Sequence, residues 1–143
     1  MSITRREFMK SGLGLVSAAA AATTPFMPFI ARAGMSSTIS SVTVAEMMYG
    51  VAKSQYKDKN KSALESFLAP LEIVDFDFKA AQHYGTVRAY LEKMGTPIGA
   101  YDLMIAAHAL SLGLVLITNN EREFQRIPDL IVENWVNQQM KQW

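Results

Sequence analysis

Between residues 39 and 132, short apolar runs alternate with longer stretches of helical periodicity, and this alternation limits the chain to few architectures. Ile39 to Val44 is a β-branched run. Thr43-Val44-Ala45-Glu46 has capping-box spacing, and apolar residues continue through Met47, Met48 and Val51, so a helix is expected here. Lys53 to Lys61 is polar and reads as a turn. Ser62 to Ala69 puts Leu64, Phe67 and Leu68 on one face of a second helix. Leu71 to Phe76 reads as a strand. Ala80, Tyr84, Val87, Leu91 and Met94 recur at three- and four-residue steps, which predicts an amphipathic helix over 78–94. Gly95, Pro97 and Gly99 end it. Tyr101 to Leu112 is apolar nearly all round and predicts a buried helix, stopped by Gly113. Leu114 to Thr118 is a continuous apolar strand of the kind found inside a parallel sheet, and Leu130 to Val132 is a last short strand. The whole predicts an α/β fold with a parallel sheet.

Composition narrows the chemistry. The chain has no cysteine, which excludes disulfides and thiolate metal sites. Its two histidines, His83 and His108, make a histidine-rich zinc site improbable. The net charge of +1 gives no bulk signature of nucleic-acid binding. That charge is unevenly spread. Residues 1–33 carry Arg5, Arg6, Lys10 and Arg32 against Glu7, which leaves 10 basic and 12 acidic residues in 34–143. An RNA-binding role for the latter would need metal ions or a local basic patch. Lys53, Lys57, Lys59 and Lys61 form such a run, whose default reading is a solvated face.

The first 33 residues have the order of a secretory signal: a basic zone, a mildly apolar run from Ser11 to Ala22, and Ala31-Arg32-Ala33 before Gly34. Thr4-Arg5-Arg6-Glu7-Phe8-Met9-Lys10 resembles the twin-arginine (Tat) motif. Thr23, Thr24, Pro25 and Pro28 interrupt the apolar run too early for a membrane span. The leader is therefore expected to stay outside the compact fold.

In parallel sheets, ligands bind beyond the carboxyl ends of the strands. Asn119 and Asn120 directly follow a strand, and Asp102 opens the buried helix, so these residues are expected at that edge. Glu46 either completes a capping box or joins them. Asp102 either favours a helix N-terminus or serves a site, and the two asparagines either make a turn or add amide oxygens. Collected together, these groups would make an oxygen-ligand site suited to Mg²⁺ or Mn²⁺. His108 reads as a satisfied core histidine. Trp135, Tyr84 and Tyr90 read as core aromatics rather than base-stacking platforms.

The wording of three segments adds to this pattern. Ile39-Ser40-Ser41-Val42-Thr43-Val44-Ala45-Glu46-Met47-Met48-Tyr49-Gly50 resembles the segment of VapC-type PIN domains that carries their second acid. Gly95-Thr96-Pro97-Ile98-Gly99-Ala100-Tyr101-Asp102 resembles the segment of the third, and Ile117 to Phe124, with Ile127-Pro128 and Glu133-Asn134-Trp135, resembles the family's carboxyl end. The resemblance spans residues 38–136 and implies a three-layer PIN-like fold. It implies a Mg²⁺- or Mn²⁺-dependent endoribonuclease toxin acting on RNA, specifically tRNA, in the cytoplasm, paired with a VapB-like antitoxin and forming a homodimer. By position, Glu46 and Asp102 would be metal-site carboxylates and Asn120 a third catalytic group, with Thr118 and Asn119 supporting it.

The family begins with a central strand ending in a metal-ligating aspartate, whereas no aspartate precedes Asp58 here. The expectation is thus a partial PIN domain at 38–136, lacking its N-terminal strand and following helices, behind a Tat-like leader at 1–33. Two other functions compete with the nuclease. One is an inactive remnant that binds an antitoxin or another partner. The other is a periplasmic protein exported by the Tat translocase.

Overall fold

The computed structural model describes residues 29–31 and 38–134. Most of the leader, including its Arg5-Arg6 pair, and Trp135 lie outside the described residues. In chain order the elements are β1 (Phe29–Ala31), β2 (Thr38–Ser40), α1 (Ser41–Lys53), α2 (Lys57–Leu68), β3 (Glu72–Val74), α3 (Phe78–Lys93), α4 (Ala100–Leu112), β4 (Val115–Ile117), α5 (Glu121–Phe124) and β5 (Val132–Glu133). The α/β expectation holds, and α1 to α4 and β2 to β5 lie on or beside the runs that periodicity marks, whereas β1 and the one-turn α5 have no counterpart there, and two boundaries move notably. Lys57 to Lys61 is the start of α2 rather than a turn, so the break is only Ser54 to Tyr56. The cap of α1 is Ser40, whose side chain accepts from the Val42 N–H, not Thr43. Glu46 therefore completes no capping box.

The strands form one sheet in the order β3-β2-β1-β4-β5. β2 runs parallel to β3, and β4 runs parallel to β5. β1 is antiparallel to both its neighbours, with Phe29 opposite Ile117, Ile30 opposite Leu116 and Ala31 opposite Val115. The expected parallel sheet is corrected at this one position, and so is the expectation that the whole leader stays outside the fold. The reason is geometric. Only residues 32–37 connect β1 to β2, and a link that short joins antiparallel neighbours, since a parallel crossover needs a dozen residues or more. The central place in the sheet is filled, but in the reverse direction.

Alternate residues of a strand face opposite sides, and β4 shows the consequence. Leu116 belongs to a core with Val87 and Leu91 of α3 and Leu103, Ile105 and Ala109 of α4. Ile117 belongs to a second core with Ile39 of β2, Met47 of α1 and Leu64 and Phe67 of α2. Helices thus cover both faces, giving the three layers. α4 is buried through its middle, from Leu103 to Ser111, as its apolar sequence requires, with Tyr101 and Leu112 exposed at its ends, and stops where Gly113 turns left-handed at φ 64°. Among the described residues no helix is long and apolar enough to cross a membrane.

Candidate active site

The carboxyl ends of β2 and β4 lead into the segments that carry the predicted site residues. β2 ends at Ser40, and α1 then carries Glu46, half-buried, on its second turn. β4 ends at Ile117 and is followed by Thr118, which is fully buried, the exposed Asn119, and Asn120, the residue before α5. Asp102 sits in the first turn of α4, also half-buried.

Electrostatics shows which of these groups share a field. Burial pushes the Glu46 carboxyl above its ordinary range, and the negative charge of Asp102 pushes it further. Asp102 is itself raised, first by burial and then by Glu123. The N-terminus of α4 acts in the opposite direction, favouring the charged form of Asp102. Glu46, Asp102 and Glu123 come from α1, α4 and α5 and form a chain of mutually repelling carboxylates.

Glu123 was not among the expected site residues. The available signal is its place three residues after Asn120, in the only turn of the helix that opens at Glu121, but a four-residue helix is too short to show periodicity. Arg126 lies 3.9 Å from the Glu123 carboxylate and donates to the Pro97 carbonyl at 3.1 Å, which ties α5 to the loop leading into Asp102. The polar residues after β4 do different work. The Thr118 hydroxyl accepts from the Asn120 N–H at 3.0 Å, while the Thr118 N–H donates to the Glu133 carbonyl at 2.9 Å. Thr118 therefore shapes the turn that presents Asn120. Glu121 accepts from the Asn134 side chain at 3.0 Å and braces that turn against the end of β5.

Half-buried carboxylates with raised proton affinity are chemically suited to a hard divalent cation. The fit is incomplete, because among the described residues no group of three or more His, Asp or Glu converges closely enough to hold a metal ion. A cavity of about 450 Å³ lies elsewhere, between α3, the end of α4 and the segment before β5; it is lined in part by His83, Tyr90 and Asp129 and by none of the acids above.

A family model for the PIN domain matches residues 21–130. This chain belongs to the PIN domain family. Among curated relatives, the tRNA(fMet)-specific endonuclease VapC of Salmonella typhimurium is 50% identical over 97 residues, covering 68% of this chain and 74% of that protein. Ribonuclease VapC2 of Rickettsia felis is 52% identical over 97 residues, covering 68% and 72%. Among solved structures, the PIN fold here superposes on VapBC2 from Rickettsia felis bound to a promoter DNA fragment, with a TM-score of 0.67, 51% identity and coverage of 68% of this chain and 74% of that one. VapBC-1 from nontypeable Haemophilus influenzae gives a TM-score of 0.70 at 33% identity and covers 90% of both chains. The VapC-like ribonuclease lineage inferred from three segments is thereby established for the chain.

Proposed function

We propose that the chain is a VapC-type toxin nuclease whose acid edge cleaves tRNA weakly as it stands, because one donor is missing. The observation that carries this reading is the chain of half-buried carboxylates, Glu46, Asp102 and Glu123, brought from three separate elements, in which burial and then the charge of Asp102 raise the proton affinity of Glu46, and burial and then the charge of Glu123 raise that of Asp102. A protein gains nothing in stability from such repulsion, and perturbed acids gathered at a sheet edge mark functional sites. Mg²⁺ or Mn²⁺ is the cofactor this donor chemistry calls for, held weakly by Asp102 and Glu46, with the Asn120 amide contributing no charge. The substrate is initiator tRNA, by likeness to the Salmonella typhimurium relative. The partner is a VapB-like antitoxin, by likeness to the VapBC complexes, and the family resemblance adds pairing with a second copy. Action on tRNA places the nuclease in the cytoplasm. Export through the Tat translocase is supported only by the leader's sequence, its Thr4–Lys10 string, apolar run and Ala31-Arg32-Ala33 pattern.

The antitoxin-binding remnant differs from this reading in one measurable respect. Incubated with initiator tRNA and Mn²⁺, the chain should give slow cleavage that Asp102→Asn abolishes. A wild-type rate equal to that of Asp102→Asn would leave only the binding role.

A further inference from the structure

We propose that His108 is a positioning residue of the acid edge, acting through Ser40 to set the separation of Glu46 and Asp102. The inference rests on the reading of those two acids as one site.

Ser40 Oγ and His108 Nδ1 are 2.9 Å apart in the interior, with both residues 1% exposed or less. The direction of the bond follows from the other partner of the hydroxyl. Ser40 Oγ accepts from the Val42 N–H at 3.2 Å, so its own proton is available to Nδ1. Nδ1 accepts only in the neutral ring, and burial lowers the proton affinity of His108. The remaining proton then sits on Nε2, which has no hydrogen-bond partner among the described residues. The ring meets Phe76 edge-to-face at 5.7 Å, and the Phe76 N–H donates to Ser41 Oγ at 3.1 Å. Three segments therefore meet at this imidazole: the β2–α1 junction, the β3–α3 turn and the middle of α4.

The placement relative to the acids gives this cluster its meaning. Ser40 precedes Glu46 by six residues and caps its helix, and His108 follows Asp102 by six residues on the other helix. Six residues of helix rise about 9 Å, within the reach of a rigid lever. The Ser40–His108 bond thus joins the two acid-bearing helices at points equally far from their acids. A leucine would fill this apolar position without leaving a buried N–H unpaired, so packing alone does not account for an imidazole here.

The test is a double-mutant cycle of Glu46→Gln and Asp102→Asn, read as shifts in thermal midpoint, in the parent chain and in His108→Leu and His108→Asn backgrounds. In the parent, each substitution relieves the same repulsion, so the double variant should gain less than the sum. In His108→Leu the two gains should become additive. In His108→Asn, whose Oδ1 can stand in for Nδ1, non-additivity should return even though the shorter side chain packs less well. A structural role alone predicts the opposite ranking, with the leucine variant closer to the parent. If His108→Leu does not fold, Ser40→Ala removes the donor instead and should give the same additivity. Non-additivity that survives in His108→Leu, or in Ser40→Ala, would overturn the proposal. The cycle reads geometry and needs neither metal nor RNA, so a chain that shows the coupling but cleaves no tRNA would contradict the nuclease reading and leave this one standing.

Discussion

Burial raises the proton affinity of Glu46, and the charge of Asp102, 56 residues further along the chain on another helix, raises it further. The sign of the consequence is fixed. A carboxyl raised in the folded state binds its proton more tightly there than in the unfolded chain, so stability falls as pH rises from the ordinary value, near 4.5 for Glu46 and 3.8 for Asp102, through the folded value. Glu46→Gln and Asp102→Asn should each raise the thermal midpoint at pH 7. Both acids keep much of their contact with water, so screening holds each gain to about 0.5 kcal/mol. Thermal unfolding against pH checks it, and a loss of stability in both variants at pH 7 would contradict the repulsion.

Divalent cations should reverse that penalty. Millimolar Mn²⁺ should raise the thermal midpoint at pH 7 modestly, and calorimetry should show weak binding, because only part of a donor set is present among the described residues. Asp102→Ala should weaken it further. Tight binding indifferent to that substitution would place the ion elsewhere.

His108 should give a pH dependence of the opposite slope. Burial lowers its proton affinity, while the charges of Asp77 and Asp75 on the adjoining turn pull it back. The unfolded chain therefore takes up the proton first as pH falls below the ordinary value near 6.5, and folding stability declines from there down to the folded value. His108→Leu should flatten that limb of the stability profile. A profile unchanged by the substitution would assign the limb to other groups.

Much of this arrangement is legible in the sequence, and the rest fails for definite reasons. The apolar runs at Leu114–Thr118 and Tyr101–Leu112 demand burial over most of their length, met in α4 from Leu103 to Ser111, so β4, α4 and the position of Asp102 follow from them. The start of α1 was displaced because Ser40 and Thr43 both have side chains able to cap, and only tertiary contact with His108 shows which one sits at the junction. Lys57 to Lys61 has no apolar residue to mark a helix face, yet α2 begins there because Leu64 and Phe67 anchor it from the far end. Glu123 was hidden in a helix one turn long. The direction of β1 is a property of the link 32–37 and of the slot between β2 and β4, which no local pattern encodes.

On the proposed reading, the acid edge is a nuclease site short of one donor, and β1 occupies the sheet position between β2 and β4 beside that edge. β1 reaches this edge of the sheet at Phe29, which pairs with Ile117, whereas a strand parallel to β2 and β4 would end there and could present a carboxylate. The most direct measurement replaces residues 1–38 with a family-like first strand ending in aspartate. It compares cleavage of initiator tRNA by this chimera, by the parent chain and by the chimera carrying Asp102→Asn. The chimera should cleave faster than the parent by at least on the order of 100-fold, since loss of an outer-shell partner alone costs a metal site roughly 10- to 100-fold, and Asp102→Asn should abolish the gain while keeping the side chain's shape. A parent that already cleaves as fast as the chimera would show that some other residue completes the site and that no donor is missing.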